Sequence, residues 1–252
     1  MAVSQFYVTL PSTSSTKYFP DNKLSSYTTK LHTPLKLTGE WEVSLVEIIY
    51  PRTWYNISGD TCTIKYRTSG VSEVETILLT PGYYKNVQEI ISEMRLNLPE
   101  PAKRNIIVYM KSQSRKIVIS CNNGAGIKFN ETLARIFGFE KEGFFRKDNY
   151  GSFPVDVHRG FYPFYLYTDI VDSQYVGDAH APLLRTVDVD HSDLGGMVCR
   201  TYNSPHYVPI KVRDIETVKI DIRLDSGNLV PFESGQVISK LHFRLKRSPY
   251  LI

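Results

Sequence analysis

Trp41-Glu42-Val43-Ser44-Leu45-Val46-Glu47-Ile48-Ile49-Tyr50-Pro51 is the stretch whose pattern settles the fold class. Trp41, Val43 and Leu45 alternate with Glu42 and Ser44, and the run continues through Ile48 and Ile49 to Pro51. Side chains on a strand point alternately to opposite faces, so this is the pattern of a half-buried strand. Trp41 is expected to anchor the core from that face. Upstream, Phe6, Val8 and Leu10 alternate with Tyr7 and Thr9. Tyr27, Thr29 and Leu31 follow a turn-rich stretch from Pro11 to Ser26. The last hundred residues return to the same period. Strands are predicted near 164–170, 183–189, 197–203, 217–224 and 236–246. Val218, Ile220, Ile222 and Leu224 share one face, and Val237, Leu241, Phe243 and Leu245 another.

The middle of the chain has a different rhythm. Strands are predicted at 62–68, 74–79, 106–111 and 116–121. Between them Val87, Ile90, Ile91 and Met94 recur at helical spacing after Asn86, a good N-cap, with Glu89 where a capping box places it. Pro99 and Pro101 are expected to stop this helix. A second short helix, from about Glu131 to Phe137, is capped by Asn130 and ended by Gly138. The reading is therefore mainly β: a single jelly-roll sandwich, residues 1–60 with 151–252, carrying an inserted small α/β subdomain at 61–150. Three strands before the insertion and about five after it give the jelly-roll count of eight.

Composition narrows the function. The chain has 252 residues, 42% of them hydrophobic, enough to bury a core. Seventeen tyrosines and 12 phenylalanines suit both β cores and protein interfaces. A net charge of +4, from 30 basic and 26 acidic residues, lacks the clustered basic face of a nucleic-acid binder. Lys103 with Arg104, and Lys240, Arg244, Lys246 and Arg247, read as solvated positions. Cys62, Cys121 and Cys199 fit neither a disulfide framework nor a zinc site, and a reducing compartment suits them. The N-terminus lacks signal-peptide character, and no membrane span is expected.

Constellations that could carry chemistry read as structural. Asp188-Val189-Asp190-His191-Ser192-Asp193 lacks the ligand spacing and glycine of a calcium loop, and is expected to be an exposed acidic turn. Asn122-Asn123-Gly124-Ala125-Gly126 lacks the Lys-Ser/Thr end of a phosphate loop, and is expected to be a hairpin or bulge turn. No two histidines stand at metal-ligand spacing, and no Gly-x-Ser-x-Gly elbow occurs. The expectation is a non-enzyme with no catalytic residues, metal or cofactor. The sequons at Asn56 and Asn130 are not expected to be used.

Several stretches together resemble a known family. They are Phe6-Tyr7-Val8-Thr9-Leu10-Pro11-Ser12 with Tyr18-Phe19-Pro20-Asp21-Asn22, Leu37 to Ile48 closing on Pro51 and Trp54-Tyr55-Asn56, Val176-Gly177-Asp178, Ala181 to Arg185, Pro205-His206-Tyr207-Val208-Pro209, and Phe232-Glu233-Ser234-Gly235 before Leu241-His242-Phe243-Arg244. They resemble the minor capsid, or penton, proteins of Polinton/Maverick elements and adintoviruses, over about two thirds of the chain. The resemblance implies a homopentamer at icosahedral fivefold vertices, contact with a double-jelly-roll major capsid protein, and a place in the virion capsid. The host cytosol would make the protein, and the assembly compartment is left open between cytosol and nucleus. No sequence-specific nucleic acid is expected. The alternative is a viral spike or a glycan- or receptor-binding jelly-roll module. The expected subunit interface is Phe161, Tyr162 and Phe164 with Tyr202, Pro205, His206 and Tyr207. Both runs are rich in aromatics and broken by proline, so they are placed in loops or at sheet edges.

Overall fold

The computed structural model describes residues 4–158, 163–189 and 196–246. The chain divides into two compact units, 1–54 with 161–252, and 55–160. Among the described residues the first contains eight principal strands: β1 (Gln5–Pro11), β2 (Ser26–Lys36), β3 (Trp41–Pro51), β4 (Pro163–Thr168), β5 (Leu183–Asp188), β6 (Met197–Thr201), β7 (Asp214–Arg223) and β8 (Ile238–Leu245). One sheet runs β1-β8-β3-β6, with the two-residue strand Val208–Pro209 also on β3; the other runs β5-β4-β7-β2. Four antiparallel pairs are nested: β4 with β5, β3 with β6, β2 with β7 and β1 with β8. That nesting is one long hairpin rolled over itself, the jelly roll.

Alternation produces the sandwich. Val43, Leu45, Ile48 and Tyr50 of β3 have no exposure, nor do Phe243 and Leu241 of β8 or Val218, Ile220 and Ile222 of β7. All belong to one apolar cluster. The β3–β8 register slips between Lys240 and Leu241, so Leu45 and Ile48, an odd number of residues apart, both point inward. Tyr50 of β3 meets Phe164 of β4 edge to face at 5.1 Å, and Tyr27 of β2 donates to Leu10 O of β1 at 3.2 Å. These contacts set β3 over β4 and β2 over β1.

Two readings of this unit change. Trp41 is only half-buried: it packs on the rim of the core against Phe6 at 5.4 Å, and its indole N–H donates to Thr38 O. Pro163, Phe164 and Tyr165 are not a loop or an edge. They open β4, a central strand paired with β5 and β7. Pro163 is tolerated as the strand's first residue, where a missing donor costs least. Asp188 ends β5, and Asp190 to Asp193 lie outside the described residues.

The second unit has its own core. One sheet orders Glu75–Leu78, Thr63–Arg67, Gly126–Phe129 and Gly143–Phe145; the other orders Asn149–Tyr150, Lys116–Cys121 and Ile106–Lys111. Among the described residues three α-helices accompany them: α1 (Val87–Asn97), α2 (Glu100–Asn105) and α3 (Glu131–Ile136). Asn86 caps α1 by accepting from Glu89 N–H at 3.1 Å. The Glu89 carboxylate accepts in return from Lys85 N–H, one residue before the cap. α1 ends before Pro99, as expected; α2, which follows at once, was not expected, and proline within its first turn removes only a donor the helix leaves unused. The Asn122–Gly126 turn is not a hairpin, since its flanking strands lie in different sheets.

Residues 55–60 and 151–158 pack with this unit, as Ile57, Val155 and Val157 show. The Asn56 amide donates to Tyr84 O and to Val157 O, both at 2.9 Å. One buried side chain thus ties together the unit's two chain ends. Asn130 accepts from Leu133 N–H as the α3 cap, so both sequon asparagines have structural partners.

Two stability measurements follow from this packing. Phe243→Ala is expected to cost about 3–5 kcal/mol in reversible denaturation, and Trp41→Ala clearly less, because only the first leaves a fully enclosed cavity. Equal losses would return Trp41 to the core. Gly138 has φ +79°, and an added Cβ would stand 2.1 Å from Phe153 O. Gly138→Ala is therefore expected to destabilise by more than about 1 kcal/mol; an unchanged melting temperature would show that the turn yields freely.

Candidate assembly surface

The outward face of the β1-β8-β3 sheet carries a continuous aromatic and charged array. By alternation Tyr7 on β1, His242 and Arg244 on β8, and Glu42 and Ser44 on β3 point away from the core. The register sets Tyr7 beside His242, His242 beside Ser44, and Arg244 beside Glu42. The Tyr7 and His242 rings stack at 4.5 Å. His242 Nδ1 lies 2.7 Å from the Tyr207 hydroxyl. The Arg244 guanidinium covers the Tyr207 ring at 3.4 Å, and its Nε donates to Glu42 Oε1 at 2.5 Å. Lys240 lies over the Tyr7 ring at 5.5 Å. Tyr207 thus reaches over β3 at Ser44, a small residue without exposure.

The segment 202–207 connects β6 to the short strand Val208–Pro209 and is pinned at both ends. At its start the Arg185 guanidinium of β5 sits 3.7 Å from the centre of the half-buried Tyr202 ring. Burial raises the Tyr202 phenol pKa, with Arg185 opposing. At its end Tyr207 is held by His242 and Arg244. Between them Pro205 is half-buried and His206 exposed.

The expected interface residues therefore divide. Phe164 is fully enclosed against Tyr50 and Phe232, which makes it a core side chain. Phe161 and Tyr162 lie outside the described residues. Tyr202 and Tyr207 are committed to contacts within the chain. His206 and Pro205 remain presented. Sequence reading missed Tyr7, His242, Arg244 and Glu42 as a group. Alternation already placed each on an outer face, but the register that joins the first strand to the last has no local signal.

Among the described residues no group of three or more His, Cys, Asp or Glu gathers as a metal centre, and no helix is long and apolar enough to cross a membrane. No protein-family profile matches the chain, and no curated protein is similar to it in sequence. The fold is similar to that of the mavirus penton protein. The crystal structure of that protein is 12% identical in sequence, matches 96% of this chain and 99% of its own, and superposes with a TM-score of 0.52. The D2–D3 domains of the flagellar cap protein FliD from Escherichia coli are 9% identical over 93% of this chain and 98% of theirs, at a TM-score of 0.17, too low to indicate a common fold.

His242 is expected to make this surface sensitive to acid. Burial, and secondarily Arg244, hold its pKa below the ordinary value of 6.5. The unfolded imidazole then takes up a proton at a higher pH than the folded one. Stability from the neutral ring is present above about pH 6.5 and is lost as pH falls through the folded pKa. Lys240 and Arg244 add to the repulsion of an imidazolium, and Glu42 opposes it while paired with Arg244. Wild type is expected to lose more melting temperature between pH 7 and pH 5 than His242→Gln. Parallel losses would assign the acid sensitivity to other groups.

Proposed function

We propose that this chain is a penton-type capsid subunit that closes into a homopentamer at icosahedral fivefold vertices and seats against a double-jelly-roll major capsid protein. The observation that carries the proposal is the extent of the likeness to the mavirus penton protein. It spans nearly the whole of both chains and is not limited to a stretch the length of the jelly roll. A shared sandwich alone would support many functions; a superposition at a TM-score of 0.52 over nearly the full length of both chains is a narrower likeness. The site of action would be the virion capsid, and the function would be assembly rather than catalysis.

A closed ring joins two different patches of each subunit. The jelly roll offers two flanks, β1 with β2 and β5 with β6. The first exposes Tyr7 and Tyr18, the latter under Lys30 of β2 at 4.4 Å. The second exposes Met197 of β6 and continues into Pro205 and His206. The proposed contact sets the β1/β2 flank of one copy against the β5/β6 flank of the next. Tyr202 and Tyr207 would then act by holding the contacting segment in place.

Electron microscopy and sedimentation of the purified protein, alone and with a major capsid protein, test this reading. Fivefold rings are expected in at least the mixed sample. Met197→Asp is expected to raise the concentration needed for rings by about tenfold or more, in line with hot-spot losses of about 2 kcal/mol, with the melting temperature kept. Rings unaffected by that change would move the contact off the β6 edge. A particle that stays monomeric with the major capsid protein and binds glycans on an array would replace the proposal with the receptor-binding alternative.

A further inference from the structure

The second unit carries a groove of about 710 Å³ in which charge and apolar exposure coincide. α1 contributes Arg95 and Leu96, α2 contributes Glu100, Lys103 and Arg104, and the strand Ile106–Lys111 contributes Ile107. Glu100 is paired with Lys103 at 3.2 Å. Among the described residues neither Arg95 nor Arg104 has an ion-pair partner. The one carboxylate in the groove, Glu100, is taken by Lys103, and the planar, bidentate geometry of the two arginines matches a further carboxylate. Beside them Leu96 is 74% exposed and Ile107 42%, more than large aliphatic side chains usually leave to water.

The strand that borders the groove also has an open edge. Ile106–Lys111 pairs with Lys116–Cys121 on one side, and no described strand pairs with the other. Asn122 N–H donates to Asn105 O at 2.9 Å, and Ile106 N–H returns to Ala102 O. Hydrogen-bonding direction alternates along an antiparallel strand, so the backbone groups of Val108 and Met110 face the open side. Tyr109, on the same face as Ile107, is 45% exposed. An unpaired edge with an apolar face is a template for a further strand.

Two simpler explanations account for part of this. Cations in the last turn of a helix are favoured by its dipole, and Arg95, Lys103 and Arg104 hold such positions. That explains the charges but neither the exposed Leu96 and Ile107 nor the free edge. A nucleic acid or a sulfated glycan would use the arginines and leave the apolar side chains and the edge without a role. An extended polypeptide uses all three.

We propose that this groove binds an acidic, extended segment of another protein. The segment lies along the Val108–Met110 edge, sets carboxylates on Arg95 and Arg104, and rests an apolar side chain on Leu96 and Ile107. The proposal goes beyond the capsid reading and does not rest on it.

The test measures anisotropy of a fluorescein-labelled peptide of about ten residues with alternating Glu and Val, titrated with the full-length protein. Parallel probes are an all-Glu peptide, a Lys/Val peptide and a heparin fragment. The Glu/Val peptide is expected to bind most tightly, and the Lys/Val peptide not at all. R95E/R104E is expected to weaken binding by about tenfold or more, and Leu96→Ser severalfold without a change in melting temperature. If the double charge reversal does not fold, R95Q/R104Q replaces it and is expected to flatten the salt dependence. Three outcomes overturn the proposal. The first is no binding of the Glu/Val peptide. The second is all-Glu or heparin binding that matches it and ignores Leu96→Ser, which marks a plain basic patch. The third is self-association, seen by sedimentation, that the arginine changes abolish while the peptide fails to bind, which assigns the groove to a second copy of this chain.

Discussion

The antiparallel pairing of Gln5–Pro11 with Ile238–Leu245 holds the two ends of the sequence together, and the sandwich closes around it. It is the outermost of the nested pairs and the one with the longest intervening chain. The entropy of closing a flexible loop grows only with the logarithm of its length, but it must be met before the pairing itself repays it. Nesting divides the problem. Once β4 and β5 pair, β3 and β6 are separated by a folded stub rather than by free chain. The same holds outward to β2 with β7 and β1 with β8. Each pair therefore closes a loop shortened by the pair inside it, although the many distant contacts still favour slow folding.

The connection from β3 to β4 is where that scheme is most exposed, because it contains the whole of 55–160. A disordered linker of that length would leave β3 and β4 far apart on average. A unit with its own apolar cluster and its ends held together behaves as a short connection instead. Asn56 supplies the tie through its two carbonyl contacts on Tyr84 and Val157. Read as sequence, Asn56-Ile57-Ser58 looks like a glycosylation site; in the fold its amide is a buried clasp.

Much of the architecture was legible because alternation is local. Val43, Leu45, Val218 and Ile220 announce their faces without knowledge of their partners, and the caps Asn86 and Asn130 mark helices within four residues. Three things were not. Proline inside the first turn hid α2, because the same residue both stops and starts helices. Phe164 looked like surface because aromatic density marks cores and interfaces alike; only pairing on both sides of β4 decides between them. The Tyr7–His242–Tyr207–Arg244–Glu42 array was unreadable because it depends on register between strands at opposite ends of the chain. A one-residue slip would turn Tyr7 inward.

That array bears on how an edge can serve as a contact. Loops at sheet edges are costly to use in binding when they must first be ordered, and each immobilised side chain costs about 0.5–1.5 kcal/mol. Here the ordering is done within the chain. Arg185 holds Tyr202 through its ring, and His242 and Arg244 hold Tyr207. What lies between, Pro205 and His206, is a short segment already fixed at both ends, and proline removes further freedom from its middle. In the proposed contact the tyrosines would therefore contribute by holding the segment rather than by touching a neighbour. A surface organised in this way would meet the proposed neighbour with little left to freeze.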